Sequence, residues 1–244
     1  MIFAGFAKSP QIKALRHFWT LTEEKCTKNG AFRDCHHPEM IAWQATQAPS
    51  RSMYLEGRGE SFLDDYILIG KKLKDCGCDT LCMCCNTAHY FIDELENKIG
   101  TRFIDVLCEV ANTAKEMGGV KIGIMCSDGL RKVGLYDKYI LEKNPSAKVV
   151  MPTDEIQKLV TIGICNSKNT KRYLPFTDEE NPAYCFSKVC DWFIQQGCDT
   201  IVAGCTDIRN VFFRECTEQV KYIDSLEVLA DAIIKTSSAD IPKF

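Results

Sequence analysis

Two cysteines stand at matching places in a duplicated segment, and a matched pair of thiols suits acid and base chemistry. Gly77-Cys78-Asp79-Thr80 recurs 120 residues later as Gly197-Cys198-Asp199-Thr200. Each tetrapeptide leads into a short apolar run, Leu81–Cys84 or Ile201–Ala203. Eight residues after each glycine stands a cysteine, Cys85 or Cys205, followed by a residue of helix-capping type, Asn86 or Thr206. A carbon acid held between two such thiols can lose its proton to one sulfur and regain one from the other on the opposite face. That is a racemase or epimerase mechanism in which acid and base are the same chemical group. Asn86-Thr87 and Thr206-Asp207 supply donors that can hold a carboxylate beside each thiol. A single cysteine at a strand end is ordinarily a small core residue. The shared offset in two copies is what singles out this pair.

The elements that must position them can be read on either side. Upstream, Phe62, Tyr66, Ile69 and Leu73 hold a helical period, as do Phe186, Val189, Cys190 and Phe193, and each helix ends at a glycine suited to its C-terminus. Downstream, Ala88, Phe91, Ile92, Leu95 and Ile99 predict a helix after Cys85, and Ile208, Val211, Phe212 and Cys216 predict its counterpart after Cys205. Helix, glycine turn, buried strand, cysteine, helix is the alternation of a parallel sheet covered on both faces. The predicted fold is therefore α/β: two pseudo-symmetric domains with parallel sheets flanked by helices, and the active site in the cleft between them. Both thiols fall at the carboxyl ends of strands, where ligands bind in such sheets. Helix N-termini there, with Asp207 and His89 as proton-handling neighbours, are expected to lower the thiol pKa values. Further strands are predicted at Met40–Ala45, Val120–Met125 and Lys148–Met151, and helices at Val106–Met117 and Leu226–Lys235. Gly118-Gly119 breaks the pattern, which sets the domains at 1–114 and 115–224. Polar, proline-interrupted Lys168–Asn181 reads as a long loop or lid.

Composition narrows the function classes. With 244 residues, 45% hydrophobic and 26% charged, the chain can bury a sizeable core, which excludes disordered, collagen-like and coiled-coil readings. Thirty basic and 33 acidic residues give a net charge of −3 with no sustained basic run, so no nucleic-acid partner is expected. MIFAGFAKSP is too short and too soon charged for a signal peptide, and no apolar run approaches the roughly 20 residues that span a bilayer. The expectation is a cytoplasmic protein with no membrane partner. The fifteen cysteines are odd in number and the chain is not small, so reduced thiols are expected rather than a disulfide framework.

Cys76, Cys78, Cys82, Cys84 and Cys85 raise the question of zinc, but strand alternation turns Cys82 and Cys84 away from Cys85, and no paired CxxC exists. No metal is expected. Cys35-His36-His37 reads as a loop entering the Met40 strand, and Cys78 and Cys198 as structural parts of the repeated turn. His89 has two readings, a packing or capping histidine and a partner of Cys85.

Met83-Cys84-Cys85-Asn86-Thr87-Ala88-His89 and Gly204-Cys205-Thr206-Asp207 resemble the paired signatures of the aspartate/glutamate racemase superfamily, enzymes that work without pyridoxal phosphate. Arg33-Asp34-Cys35-His36-His37, Ala48-Pro49-Ser50-Arg51-Ser52 and Gly123-Ile124-Met125-Cys126-Ser127-Asp128-Gly129 look like its aspartate racemase branch, and so does Asp207 after the second signature. The resemblance implies that Cys85 and Cys205 are the catalytic thiols. It implies that Asn86, Thr87, Thr206 and Ser127 bind substrate, that Arg51 grips the side-chain carboxylate, and that Lys168 is a second cationic ligand. It further implies a homodimer, no cofactor, and a C-terminal helix, 225–244, that returns to the first domain. The chain departs from the pattern at Phe6-Ala7-Lys8-Ser9-Pro10, where the family has a glycine-rich turn, at Cys84 in place of a proline, and at Leu130 in place of a threonine.

The activity that follows is interconversion of L- and D-aspartate, or of a related acidic amino acid. The alternatives are an isomerase or decarboxylase of another dicarboxylate, and a non-catalytic amino-acid-binding protein. A redox or metal-handling role would require stoichiometric zinc or a mobile disulfide.

Overall fold

The computed structural model describes residues 2–7 and 12–237. The first half runs β1 (Ile2–Ala7), α1 (Ile12–Lys28), β2 (Glu39–Gln44), α2 (Arg51–Glu56), α3 (Leu63–Asp75), β3 (Thr80–Met83), α4 (Ile92–Ile99), β4 (Arg102–Ile104) and α5 (Val106–Glu116). The second runs β5 (Lys121–Met125), α6 (Asp128–Val133), α7 (Leu135–Lys143), β6 (Lys148–Val150), α8 (Asp154–Asn166), α9 (Pro182–Gln195), β7 (Thr200–Ala203), β8 (Lys221–Asp224) and α10 (Ser225–Ser237). All strands pair in parallel, in the orders β2-β1-β3-β4 and β6-β5-β7-β8, so one topology occurs twice. Cys35-His36 lies in a 3-10 turn that leads into β2, as a connecting segment.

The repeated tetrapeptide has a local explanation. α3 and α9 both end with a glycine in the left-handed region, Gly77 at φ +94° and Gly197 at φ +76°. The Gly77 N–H donates to Lys74 O and the Cys78 N–H to Leu73 O; Gly197 and Cys198 repeat this with Ile194 and Phe193. This is the Schellman arrangement, which requires a residue without a Cβ penalty and turns the chain directly into the next strand. Cys78 and Cys198 are buried as the turn enters the core, which fits their structural reading. The strands that follow, Thr80–Met83 and Thr200–Ala203, are buried at every residue, as expected for the centre of a sheet covered on both sides.

Strand alternation sorts the cysteine cluster. Cys82 and Cys84 pack with Ile122, Ile124, Val202 and Leu226 in the core that joins the facing sides of the two sheets. Leu81, Met83 and Cys85 pack on the opposite side with Phe62, Tyr66 and Leu95. α10 packs against both α1 and α5 and brings the chain's end back to the first half. Among the described residues, no helix is long and apolar enough to cross a membrane.

One expected element is missing. After Cys205 the structure has only a 3-10 turn, Ile208–Asn210, and then irregular chain to β8. The apolar spacing that suggested a helix is used differently: Val211 and Phe212 pack against the second core, and Cys216 Sγ bonds the backbone N–H of Tyr222, fixing the segment as a loop. The counterpart after Cys85 is also a 3-10 turn, Asn86–Phe91, before α4 begins. The long loop at Lys168–Asn181 is present and carries a 3-10 turn, Thr170–Tyr173.

Candidate active site

Cys85 is set by the end of β3, in extended conformation at the cap of its 3-10 turn. Cys205 is set by the end of β7, two residues beyond Ala203. Both line one cavity of about 310 Å³, together with Arg51, Asn86, Thr87, Ser127, Lys168, Thr206 and Asp207. Nine positions expected from the sequence thus meet at one concave surface, although they come from segments more than a hundred residues apart.

The polar residues beside the thiols stitch the two halves together. The Tyr136 hydroxyl donates to Asn86 Oδ1 at 2.8 Å, and Asn86 Nδ2 donates to Ser225 Oγ at 2.9 Å. The hydroxyls of Thr87 and Ser127 lie 3.0 Å apart, and Thr206 Oγ1 donates to the carbonyl of Cys84 at 3.1 Å. Asn86 therefore commits its carbonyl oxygen and one N–H to protein, which leaves one amide N–H for a ligand. Gly204 is required by the same packing, since a Cβ there would lie 2.6 Å from the Tyr136 ring. Tyr136 and Ser225 were missed by sequence reasoning, because nothing in their local pattern distinguishes them from an ordinary buried tyrosine and a helix-start serine.

The two thiols have unlike electrostatic surroundings. Cys85 faces the buried guanidinium of Arg51, which also donates from Nη1 to Pro49 O at 3.2 Å. Burial opposes the Arg51 charge, but the neighbouring Cys85 above all, then Tyr66 and Asp207, outweigh it, so its pKa rises. Cys205 Sγ lies 4.0 Å from Asp207 Oδ2. Burial first, and then the Asp207 charge, push the Cys205 thiol up to about 12, with Lys168 opposing. Lys168 Nζ pairs with Asp207 Oδ2 at 2.9 Å; that carboxylate is 1% exposed. Burial disfavours the Lys168 charge, yet Asp207 and Cys205 raise its pKa overall.

Two expectations therefore change. The thiols follow strands and precede 3-10 turns, which align few peptide dipoles, rather than α-helix N-termini, and the charged groups beside them are Arg51 at Cys85 and the Asp207–Lys168 pair at Cys205. Asp207 raises the Cys205 pKa instead of lowering it. The two readings of His89 are also decided in part. Its ring is buried, bonds the Cys85 carbonyl through Nδ1 at 2.9 Å and accepts from the Val106 N–H through Nε2 at 3.3 Å. It fixes the Cys85 backbone and does not line the cavity. Of the divergent first loop, Phe6 and Ala7 belong to β1, and residues 8–10 lie outside the described residues. Leu130, on α6, is fully buried and takes no part in the cavity wall.

The cavity wall includes residues that the sequence did not single out, Glu56, Arg58, Thr161 and Cys165, and Asp128, which it gave only as part of the Gly123–Gly129 motif with no role. Apart from Arg58, in the turn after α2, they belong to helices α2, α6 and α8, and helical spacing alone does not say which turn of a helix faces a neighbour.

One thiol from each of two topologically matched α/β halves lines a shared cavity, which is the arrangement of a two-thiol cleft of pseudo-twofold design. The chain belongs to the Asp/Glu/Hydantoin racemase family, whose family model matches residues 22–233. It is 28% identical over 137 residues to a glutamate racemase of Picosynechococcus sp. (strain ATCC 27264 / PCC 7002 / PR-6), a stretch covering 55% of this chain and 44% of that protein. The match thus spans less than half of the relative's length. The fold is that of Picrophilus torridus aspartate racemase, with TM-score 0.78, 22% identity, and coverage of 98% of this chain and 95% of that one. An aspartate racemase homologue from Pyrococcus horikoshii OT3 is similar at TM-score 0.73 and 18% identity, covering 98% and 100%.

Proposed function

We propose that this protein is a cofactor-independent amino-acid racemase that interconverts L- and D-aspartate, or a closely related acidic amino acid, by two-base proton transfer. The observation that carries the reading is that Cys85 and Cys205 line a single cavity together with Arg51 and Lys168. In this scheme Cys85, beside the Arg51 guanidinium, acts first as the base, while Cys205, buried beside Asp207 and with its pKa pushed up, acts first as the acid. The Cys85 thiolate takes the α-proton of one enantiomer. The Cys205 thiol delivers its proton to the opposite face of the carbanion, and the sulfur charges exchange. The opposite enantiomer runs the same steps in reverse. Arg51 and Lys168 stabilise the negative charge that accumulates at the sulfurs and at the carboxylates of the bound substrate. Asn86 and the hydroxyl pair of Thr87 and Ser127 hold the α-carboxylate through their remaining side-chain donors, Thr206, whose hydroxyl is bonded to Cys84 O, through its backbone N–H, and His89 keeps the Cys85 backbone in place.

The domain limits 1–114 with the returning helix, and 115–224, belong to the same proposal, as do the homodimer and a cytoplasmic site of action. The fifteen free cysteines suit a reducing compartment.

The test is incubation of the reduced protein with L-aspartate and, separately, L-glutamate in D2O, with the α-proton followed by NMR and the product by chiral chromatography. Exchange accompanied by the D-isomer supports the reading and names the substrate. Exchange with retained chirality shows a single competent thiol. The absence of exchange with both compounds sinks it.

A further inference from the structure

Three carboxylates line the cavity, and they are not equivalent. Asp207 is paired with Lys168 at 2.9 Å, and Glu56 is paired with Arg58. Among the described residues no cation lies within ion-pair distance of Asp128. Arg58 is near enough to feel its charge but is held by Glu56. The Asp128 carboxylate is held in place by neutral groups on α8. Thr161 Oγ1 lies 3.0 Å from Oδ1 and 2.8 Å from Oδ2, and Gln157 Nε2 donates to Oδ1 at 2.9 Å. Gln157 is itself buried and anchored by a second bond to Cys126 O at 3.1 Å, so the carboxylate has a rigid support. A carboxylate can accept about four hydrogen bonds, and two neutral donors leave acceptor capacity on the cavity side.

A fixed, unneutralised carboxylate in a cleft for acidic substrates repels any group of like charge and attracts a cation. The cation that an acidic amino acid offers is its α-ammonium. We propose that Asp128 receives the substrate's ammonium group and thereby selects α-amino acids over dicarboxylates that lack one. The assignment rests on the two-thiol reading of the cleft. It also gives the residue a role in reactivity, because an ammonium kept charged beside the α-carbon makes the α-proton easier to remove.

The test compares L-aspartate with succinate, the same skeleton without the amino group, by calorimetric titration of the whole protein. The wild type is expected to bind aspartate about 10-fold or more tightly than succinate, the range that a charge-assisted hydrogen bond supplies. In Asp128→Asn, aspartate affinity should fall by a similar factor while succinate binds as well as before or better. Should Asp128→Asn fail to fold, Thr161→Val removes one of the supporting donors and should weaken aspartate several-fold without weakening succinate. Equal affinity of the wild type for both compounds, binding of neither, or an equal loss of both in a folded variant overturns the assignment. The α-proton exchange assay separates the two ideas. Selective aspartate binding through Asp128 without exchange would leave the assignment standing and remove the racemase reading. Racemisation unaffected in Asp128→Asn would do the reverse.

Discussion

The hydroxyl of Tyr136 donates a 2.8 Å hydrogen bond to Oδ1 of Asn86, so the residue that follows Cys85 in the first half is oriented by a tyrosine of the second. Both side chains are buried, and the tyrosine ring lies against the backbone of Gly204, which precedes Cys205. One side chain thus touches the neighbours of both thiols.

Tyr136→Phe should expose the value of that bond. It leaves the buried Asn86 oxygen without its donor, at a cost of about 1–3 kcal/mol in stability by urea denaturation. It should also lower kcat, because Asn86 loses its orientation. Gly204→Ala forces a methyl against the same ring and should cost about 1–3 kcal/mol as an overpacking change. Unchanged stability in both variants would show that Tyr136 does not brace the site.

Replacement of either thiol tests the two-base scheme. Cys85→Ser and Cys205→Ser should each lose about 100-fold or more of racemase activity, since a serine hydroxyl is too weak an acid to exchange the proton. Chiral analysis of L-aspartate turnover gives the readout. Full activity in either variant would end the scheme.

The acidity of Cys205 should respond to its charged neighbours in opposite senses. Asp207→Asn removes a negative charge that opposes the thiolate, so the Cys205 titration should move down from about 12. Lys168→Met removes the compensating cation and should move it further up, each by about 1–3 pH units. Alkylation rates of the Cys205 peptide, followed by mass spectrometry against pH, measure both. Shifts of the same sign in the two variants would contradict the arrangement.

Asp224, at the end of β8, offers a stability test away from the thiols. Its carboxylate is 3% exposed and is paired with Arg209 Nη1 at 3.0 Å. Burial raises its pKa, with Arg209 opposing. Arg209→Leu removes the partner of a buried charge and should cost about 3–5 kcal/mol at neutral pH. A carboxyl whose folded pKa is raised above the unfolded value loses stability as pH rises between the two. The variant should therefore regain stability on mild acidification, visible as a narrowing gap in Tm from the wild type. A gap that widens on acidification would reverse the sign of this argument.

The sequence by itself determined the parts of this protein that depend on local chemistry. A glycine that must adopt positive φ, a cysteine that follows it into the core, and an apolar strand buried on both faces are short-range demands, so the repeat showed where β3 and β7 lie and that Cys85 and Cys205 end them. The chemistry of the residue types then named the polar residues beside the thiols, while Arg51 and Lys168 were named only by the resemblance to the racemase signatures. Only the tertiary structure decided what surrounds each sulfur. Arg51 reaches Cys85 from the start of α2, Lys168 reaches Asp207 from the loop after α8, and Tyr136 and Ser225 reach Asn86 from the opposite half. It also decided that the apolar period after Cys205 packs as a loop, because contacts with the core and with β8 outweigh a weak helical preference in a short segment. Hydrogen bonds and ion pairs between residues 34 to 139 positions apart leave no periodic trace in the chain. They exist only once two sheets, each specified locally, have closed on one cleft.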